Sequence, residues 1–120
     1  KKNKNIYLQI IGDTLPEYQK YLDELKLDIK KRGLNNNIRF LGFRNDITSV
    51  LKKSTFFIHT PLSPDPFPTV IFEAIQSKIP VITNELGGAY EILNEGSNGL
   101  IIKNDRINES VEKILSYIKK

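Results

Sequence analysis

Short apolar runs alternate along the chain with stretches in which apolar residues recur every three or four positions. Ile6-Tyr7-Leu8-Gln9-Ile10-Ile11, closed by Gly12-Asp13, predicts a strand buried on both faces. Thr14-Leu15-Pro16-Glu17 has the spacing of a capping box, with a proline tolerated in the first helical turn. Tyr18, Leu22, Leu25 and Ile29 then share a helical face, and Gly33 supplies a stop. The alternation repeats. Ile38-Arg39-Phe40-Leu41 predicts a second strand and Asp46 to Lys52 a short helix with Ile47, Val50 and Leu51 inward. Further strands are expected at Thr55-Phe56-Phe57-Ile58-His59, Pro80-Val81-Ile82-Thr83 and Gly99-Leu100-Ile101-Ile102. A helix follows Pro68, a helical turn lies near Tyr90 to Leu93, and the last helix carries Ile107, Val111, Ile114, Leu115 and Ile118 on one face.

Strands apolar on both sides, each followed by a helix, predict an α/β domain: a Rossmann-like parallel sheet with helices on both faces. Right-handed crossovers place every strand-to-helix loop at one edge of such a sheet, outside the carboxyl ends of the strands, where ligands of these folds bind. The loops that matter are then Gly12-Asp13-Thr14, Gly42-Phe43-Arg44-Asn45, Pro61 to Pro68, and Glu85-Leu86-Gly87-Gly88.

Composition narrows the chemistry. At 120 residues the chain fits one domain, and 39% hydrophobic with 27% charged residues is ordinary globular usage. It has no cysteine and one histidine, His59, which argues against disulfides and zinc. The net charge of +4 is spread out, with basic clusters only at Lys1-Lys2-Asn3-Lys4 and Lys119-Lys120, so a solvated surface explains it better than a nucleic-acid partner. No apolar run approaches the ~20 residues of a membrane span.

The stretch Ser63 to Ala74, SPDPFPTVIFEA, combines three prolines, an aspartate and a glutamate within a helix start. Pro68 suits the first helical position, which would leave the amides of Thr69, Val70 and Ile71 pointing out of the helix as an anion site, most naturally for phosphate. Pro64 and Pro66 stiffen the approach. Asp65 and Glu73 could accept hydrogen bonds from sugar hydroxyls, Glu73 from the vicinal pair of a ribose. Equally, Asp65 could be a helix-start acid and Glu73 a solvent-facing helical residue.

Asp65-Pro66-Phe67-Pro68-Thr69-Val70-Ile71-Phe72-Glu73-Ala74, followed by Lys78-Ile79-Pro80-Val81-Ile82 and Gly87-Gly88-Ala89-Tyr90-Glu91, resembles the nucleotide-sugar-binding, C-terminal half of GT-B retaining glycosyltransferases of family 4, glycosyl transferases group 1. Ile11-Gly12-Asp13, Arg39-Phe40-Leu41-Gly42 and Asn98-Gly99-Leu100-Ile101 extend the match, in order, over nearly the whole chain. The resemblance implies that residues 1–120 are a donor-binding domain beginning after its first strand, with an N-terminal acceptor domain absent and the isolated chain inactive. It implies transfer of a hexose from a nucleotide diphosphate sugar, with retention of configuration, to a glycan or lipid-linked acceptor in bacterial polysaccharide synthesis. No metal and no cofactor are expected. Glu73 matches the residue that holds the donor ribose; Asp65, the catalytic candidate, stands where the family usually has a glutamate that contacts the donor sugar. Phe67, Pro68, Thr69 and Val70 match the segment touching sugar and phosphate, with Pro68 replacing a frequent glycine, and Phe43 and Arg44 match the loop near the nucleobase. The family's diphosphate-binding Arg and Lys have no matching positions here. A cytoplasmic location, with peripheral association of the full-length enzyme at the inner membrane face, and no nucleic-acid partner also follow from the resemblance.

Other readings stay open beside it. His59 is expected to be a hydrogen-bonded structural histidine or a ligand contact, Gly87-Gly88 a phosphate loop or a tight turn, and Glu91 a helix-start acid or a site residue. Tyr18, Tyr21 and Tyr90 are expected to pack. A non-catalytic α/β regulatory or protein-binding module is the rival to the enzyme, and the exchange of Glu for Asp65 and Gly for Pro68 favours it.

Overall fold

A computed structural model describes residues 6–93 and 98–119, so the basic run at 1–4 and Lys120 lie outside the described residues. The chain divides into two compact units, Lys1–Asn45 and Asp46–Lys120, and the strands pair in two parallel ladders.

In the first unit, β1 (Leu8–Ile11) pairs in parallel with β2 (Ile38–Gly42), and α1 (Gln19–Lys31) connects them. Leu8 stands opposite Ile38 and Ile10 opposite Phe40; the register then shifts, and the Gly12 amide donates to the Gly42 carbonyl at 2.9 Å. The expectation of a strand buried on both faces fails for β1, where Leu8 is 39% exposed. Among the described residues β1 has one ladder neighbour and the unit a single α-helix, too little to cover two faces.

The capping box does not form either. Pro16 forces Leu15 into extended backbone, so Leu15 rather than Thr14 precedes the 3-10 turn Pro16–Tyr18, and the Thr14 hydroxyl bonds the Leu15 carbonyl instead. That tighter turn changes the helical phase, and Tyr18 ends 57% exposed instead of inward. Gly33 acts as expected: with φ +62°, its amide bonds the Lys30 carbonyl at 2.9 Å and the Leu34 amide bonds Ile29 at 3.0 Å, a Schellman end.

The second unit contains α2 (Ile47–Lys52), β3 (Phe57–His59), α3 (Thr69–Gln76), β4 (Val81–Asn84), α4 (Ala89–Ile92), β5 (Gly99–Ile102) and α5 (Ile107–Tyr117). Its three strands run parallel in the order β3-β4-β5, with Val81 flanked by Phe57 and Gly99, and Thr83 by His59 and Ile101. Every residue of β4 and β5 is buried, as continuous apolar runs require. The core has two sides. Ile71, Ala74, Val81, Ala89 and Leu93 pack together from α3, β4 and α4, while Ile82, Leu100 and Ile102 pack with Phe56, Ile114 and Tyr117. Helices therefore cover both faces of this sheet.

On α5 the inward residue of the first turns is Ser110, whose hydroxyl donates to the Lys103 carbonyl at 2.8 Å and accepts from its amide at 3.2 Å. That anchorage turns Ile107 and Val111 outward, 71% and 47% exposed, against the amphipathic pattern. Lys113 reaches the Ile101 carbonyl at 2.9 Å, covering a polar group of the edge strand. Tyr21 and Tyr90 are 65% and 53% exposed, so the packing expected of the tyrosines is not what holds them.

Candidate functional site

At the carboxyl edge of the three-stranded sheet, β3, β4 and β5 each release a loop, and hydrogen bonds knit the three together. The first loop carries Asp65. Its carboxylate accepts the Phe67 amide at 3.0 Å, an Asx turn, and leaves the second oxygen without a hydrogen bond among the described residues. Asp65 and Phe67 each precede a proline, which biases both to extended backbone and keeps the loop open.

Pro68 is not the first helical residue. Proline fixes φ but not ψ, and at φ −73°, ψ 96° Pro68 is the extended residue preceding the helix, so α3 starts at Thr69. The Pro68 carbonyl accepts the Ile71 amide at 3.1 Å, so two amides, of Thr69 and Val70, rather than three remain without a hydrogen bond among the described residues. Pro68 itself is buried, so it shapes the helix start instead of presenting its ring to a ligand. Phe67, 64% exposed, leans on Phe72 with ring centroids 5.1 Å apart.

Glu73 is exposed, one turn into α3 and four residues after Thr69, on the side turned away from buried Ile71 and Ala74. Asp65, the free amides and Glu73 therefore belong to one continuous loop and helix start. Phe43 and Arg44 follow β2 in the first unit, Phe43 with 77% exposure.

Gly87 and Gly88 form the tight turn that was one of the two sequence alternatives, and they have a further role that the sequence did not show. A Cβ on Gly87 would collide with the main chain of Asp65, its nitrogen 2.7 Å away, and one on Gly88 would collide with the Pro66 carbonyl. The Gly88 amide donates to the Asp65 carbonyl at 2.8 Å. These glycines seat the Asp65 loop, and Gly87, at φ +73°, makes the turn that brings them there. The order of Pro-rich loop and Gly-Gly in the sequence carries no sign of this contact, which joins residues about twenty positions apart.

His59, at the end of β3, stacks at 18° on Phe57 with centroids 6.4 Å apart. Its Nδ1 is buried and has no hydrogen-bond partner, so the hydrogen-bonded structural histidine is not observed at that atom. Burial lowers its pKa below 6.5, and the Asp65 carboxylate offsets part of that shift. Asn84 was missed altogether: the apolar run that predicts β4 stops at Thr83, whereas the strand includes the buried Asn84. Among the described residues no cluster of three His, Asp or Glu side chains could hold a metal ion.

The family model of glycosyl transferases group 1 matches residues 1–120. The uncharacterized glycosyltransferase MJ1607 of Methanocaldococcus jannaschii is 33% identical over 116 residues, 93% of this chain and 28% of that protein. Lipopolysaccharide glucosyltransferase WaaG of Escherichia coli is 25% identical over 116 residues, 93% of this chain and 29% of its own length. Among solved structures, Anabaena Alr3699/HepE in complex with UDP superposes with a TM-score of 0.81 at 33% identity, covering 92% of this chain and 32% of that one. HepE has also been solved with UDP-glucose. The chain thus spans about a third of the length of the proteins it matches. The parallel sheets and flanking helices match the GT-B C-terminal domains of these structures. With the match to the family model running from end to end, the chain belongs to the glycosyl transferases group 1 family.

Proposed function

We propose that this chain is the donor-binding part of a retaining, family 4 glycosyltransferase that moves a hexose from a nucleotide diphosphate sugar to a glycan or lipid-linked acceptor. The observation that carries the reading is the loop from Asp65 to Val70. A carboxylate with one free oxygen and two free helix-start amides stand there on a loop seated by Gly87 and Gly88. The UDP and UDP-glucose complexes of HepE supply the ligand class.

In this reading the Thr69 and Val70 amides take the diphosphate charge that grows as the sugar leaves, an oxyanion-type stabilisation that needs no metal ion. Asp65 contacts the donor sugar and Glu73 the ribose hydroxyls. Phe43 and Arg44 are assigned to the nucleobase, each a proposal tested by its effect on base preference. In the same reading the acceptor, of the class named for the lipopolysaccharide glucosyltransferase WaaG, is held by residues outside this chain, and the enzyme works in the cytoplasm at the inner membrane face.

The test is donor binding and turnover by the full-length polypeptide with UDP-, GDP- and ADP-sugars. Glu73→Ala is expected to weaken donor binding by about tenfold or more, the loss of charged hydrogen bonds to two hydroxyls. Unchanged affinity and turnover would remove the ribose assignment. Turnover is expected to survive excess EDTA, and its abolition would remove the metal-free scheme.

A further inference from the structure

We propose that Asn84 is the positioning residue of the site, a single side chain that fixes the three loops of the sheet edge relative to one another; the proposal rests on the donor-binding reading above. Asn84 ends β4 and is completely buried. Its Nδ2 donates to the Pro61 carbonyl at 2.7 Å and to the Asn104 Oδ1 at 3.0 Å, while its Oδ1 accepts the Leu86 amide at 3.3 Å. One planar amide thus bonds the loop after β3, the loop after β5 and the loop after its own strand.

The consequence reaches Asp65 from both sides. Pro61 opens the loop that carries Asp65, and Leu86 directly precedes the glycines on which Asp65 and Pro66 rest. Both Nδ2 protons and the acceptor oxygen are in use, so no partner can be lost without leaving a buried polar group unpaired. Only an amide fits. Aspartate keeps the acceptor for Leu86 but turns an oxygen onto two other oxygens; leucine has the volume and none of the bonds.

The first arm of the test needs no ligand: hydrogen exchange of the full-length polypeptide, compared with Asn84→Asp. The amide of Gly88, bonded to the Asp65 carbonyl, is expected to exchange about tenfold faster, a loss equivalent to one hydrogen bond, while Leu86, whose acceptor aspartate keeps, and the amides of β5 stay unchanged. No acceleration at Gly88, or equal acceleration throughout β5, would overturn the proposal, the second because it would make Asn84 an ordinary core residue.

The second arm uses Asn104, which is exposed and can be changed without opening the core. Asn104→Asp keeps the acceptor that Asn84 needs; Asn104→Leu removes it. With whichever UDP-, GDP- or ADP-sugar the wild-type enzyme turns over, kcat/KM is expected to fall about tenfold in Asn104→Leu and to stay within about twofold in Asn104→Asp. Equal values for the two variants would overturn the role. If the wild-type enzyme binds none of these sugars, the donor-binding reading fails, while the exchange arm still decides whether Asn84 holds the loops.

Discussion

The pairing of His59 with Asp65 shows how one buried atom reports on a site. Burial disfavours the imidazolium and outweighs the neighbouring carboxylate, so His59 titrates below 6.5 in the folded chain. The unfolded chain therefore binds more protons between that lowered value and 6.5. Stability from this group is fully present above 6.5 and is lost as pH falls through the folded pKa. Asp65→Asn deletes the raising influence and is expected to lower the His59 pKa further. As the chain has one histidine, a single imidazole NMR titration reads the answer, and an unchanged or raised value would mean that the carboxylate lies elsewhere. Gly88→Ala tests the seat of the loop. Its new methyl group would meet the Pro66 carbonyl, a main-chain atom that cannot swing aside. Denaturant melts are expected to show a loss of about 2 kcal/mol, the ordinary penalty of overpacking, together with weaker donor binding.

Among the elements, α3 ends in an unusual way. Lys78 takes φ +58° after the helix, its amide bonding the Ile75 carbonyl at 2.9 Å and the Ile79 amide bonding Ala74 at 3.3 Å. This is the same terminus as at Gly33, with a side chain where glycine is favoured. Lys78→Gly is expected to stabilise the chain by about 1 kcal/mol, since a left-handed lysine is relieved at an exposed position. No gain in the melting midpoint would mean that the lysine side chain compensates. Element type was legible in the sequence because each strand is a short apolar run and each helix keeps its period; β4 and β5 differ from expectation by a residue or less at each end. The placement of Asp65 and Glu73 beside one helix start was legible too, from the prolines. What could not be read depends on distant partners: the fit of Gly88 on Pro66 and the bonds of Asn84 to Pro61 and Asn104. Each is decided by atoms far along the chain, where local pattern carries no information.

At the scale of the whole chain, burial is unevenly shared. Ile29 is the one buried hydrophobic residue among those described in the first unit, whereas β4 and β5 of the second are buried throughout. Native-state hydrogen exchange is expected to follow this division, with Leu8 to Ile11 losing protection well before Val81 to Asn84. Equal protection factors in the two strands would contradict it. The seating of the Asp65 loop has a consequence for how such a site can diversify. What locks the loop is main chain: the carbonyls of Pro61, Asp65 and Pro66 are the atoms gripped. The side chains of Leu62, Ser63, Pro64 and Phe67 are exposed. A frame written in backbone atoms is indifferent to the letters hung on it, so on the donor-binding reading proposed above, preference among donors is expected to be open to change at Leu62, Ser63 and Phe67 in a library while the scaffold keeps its geometry.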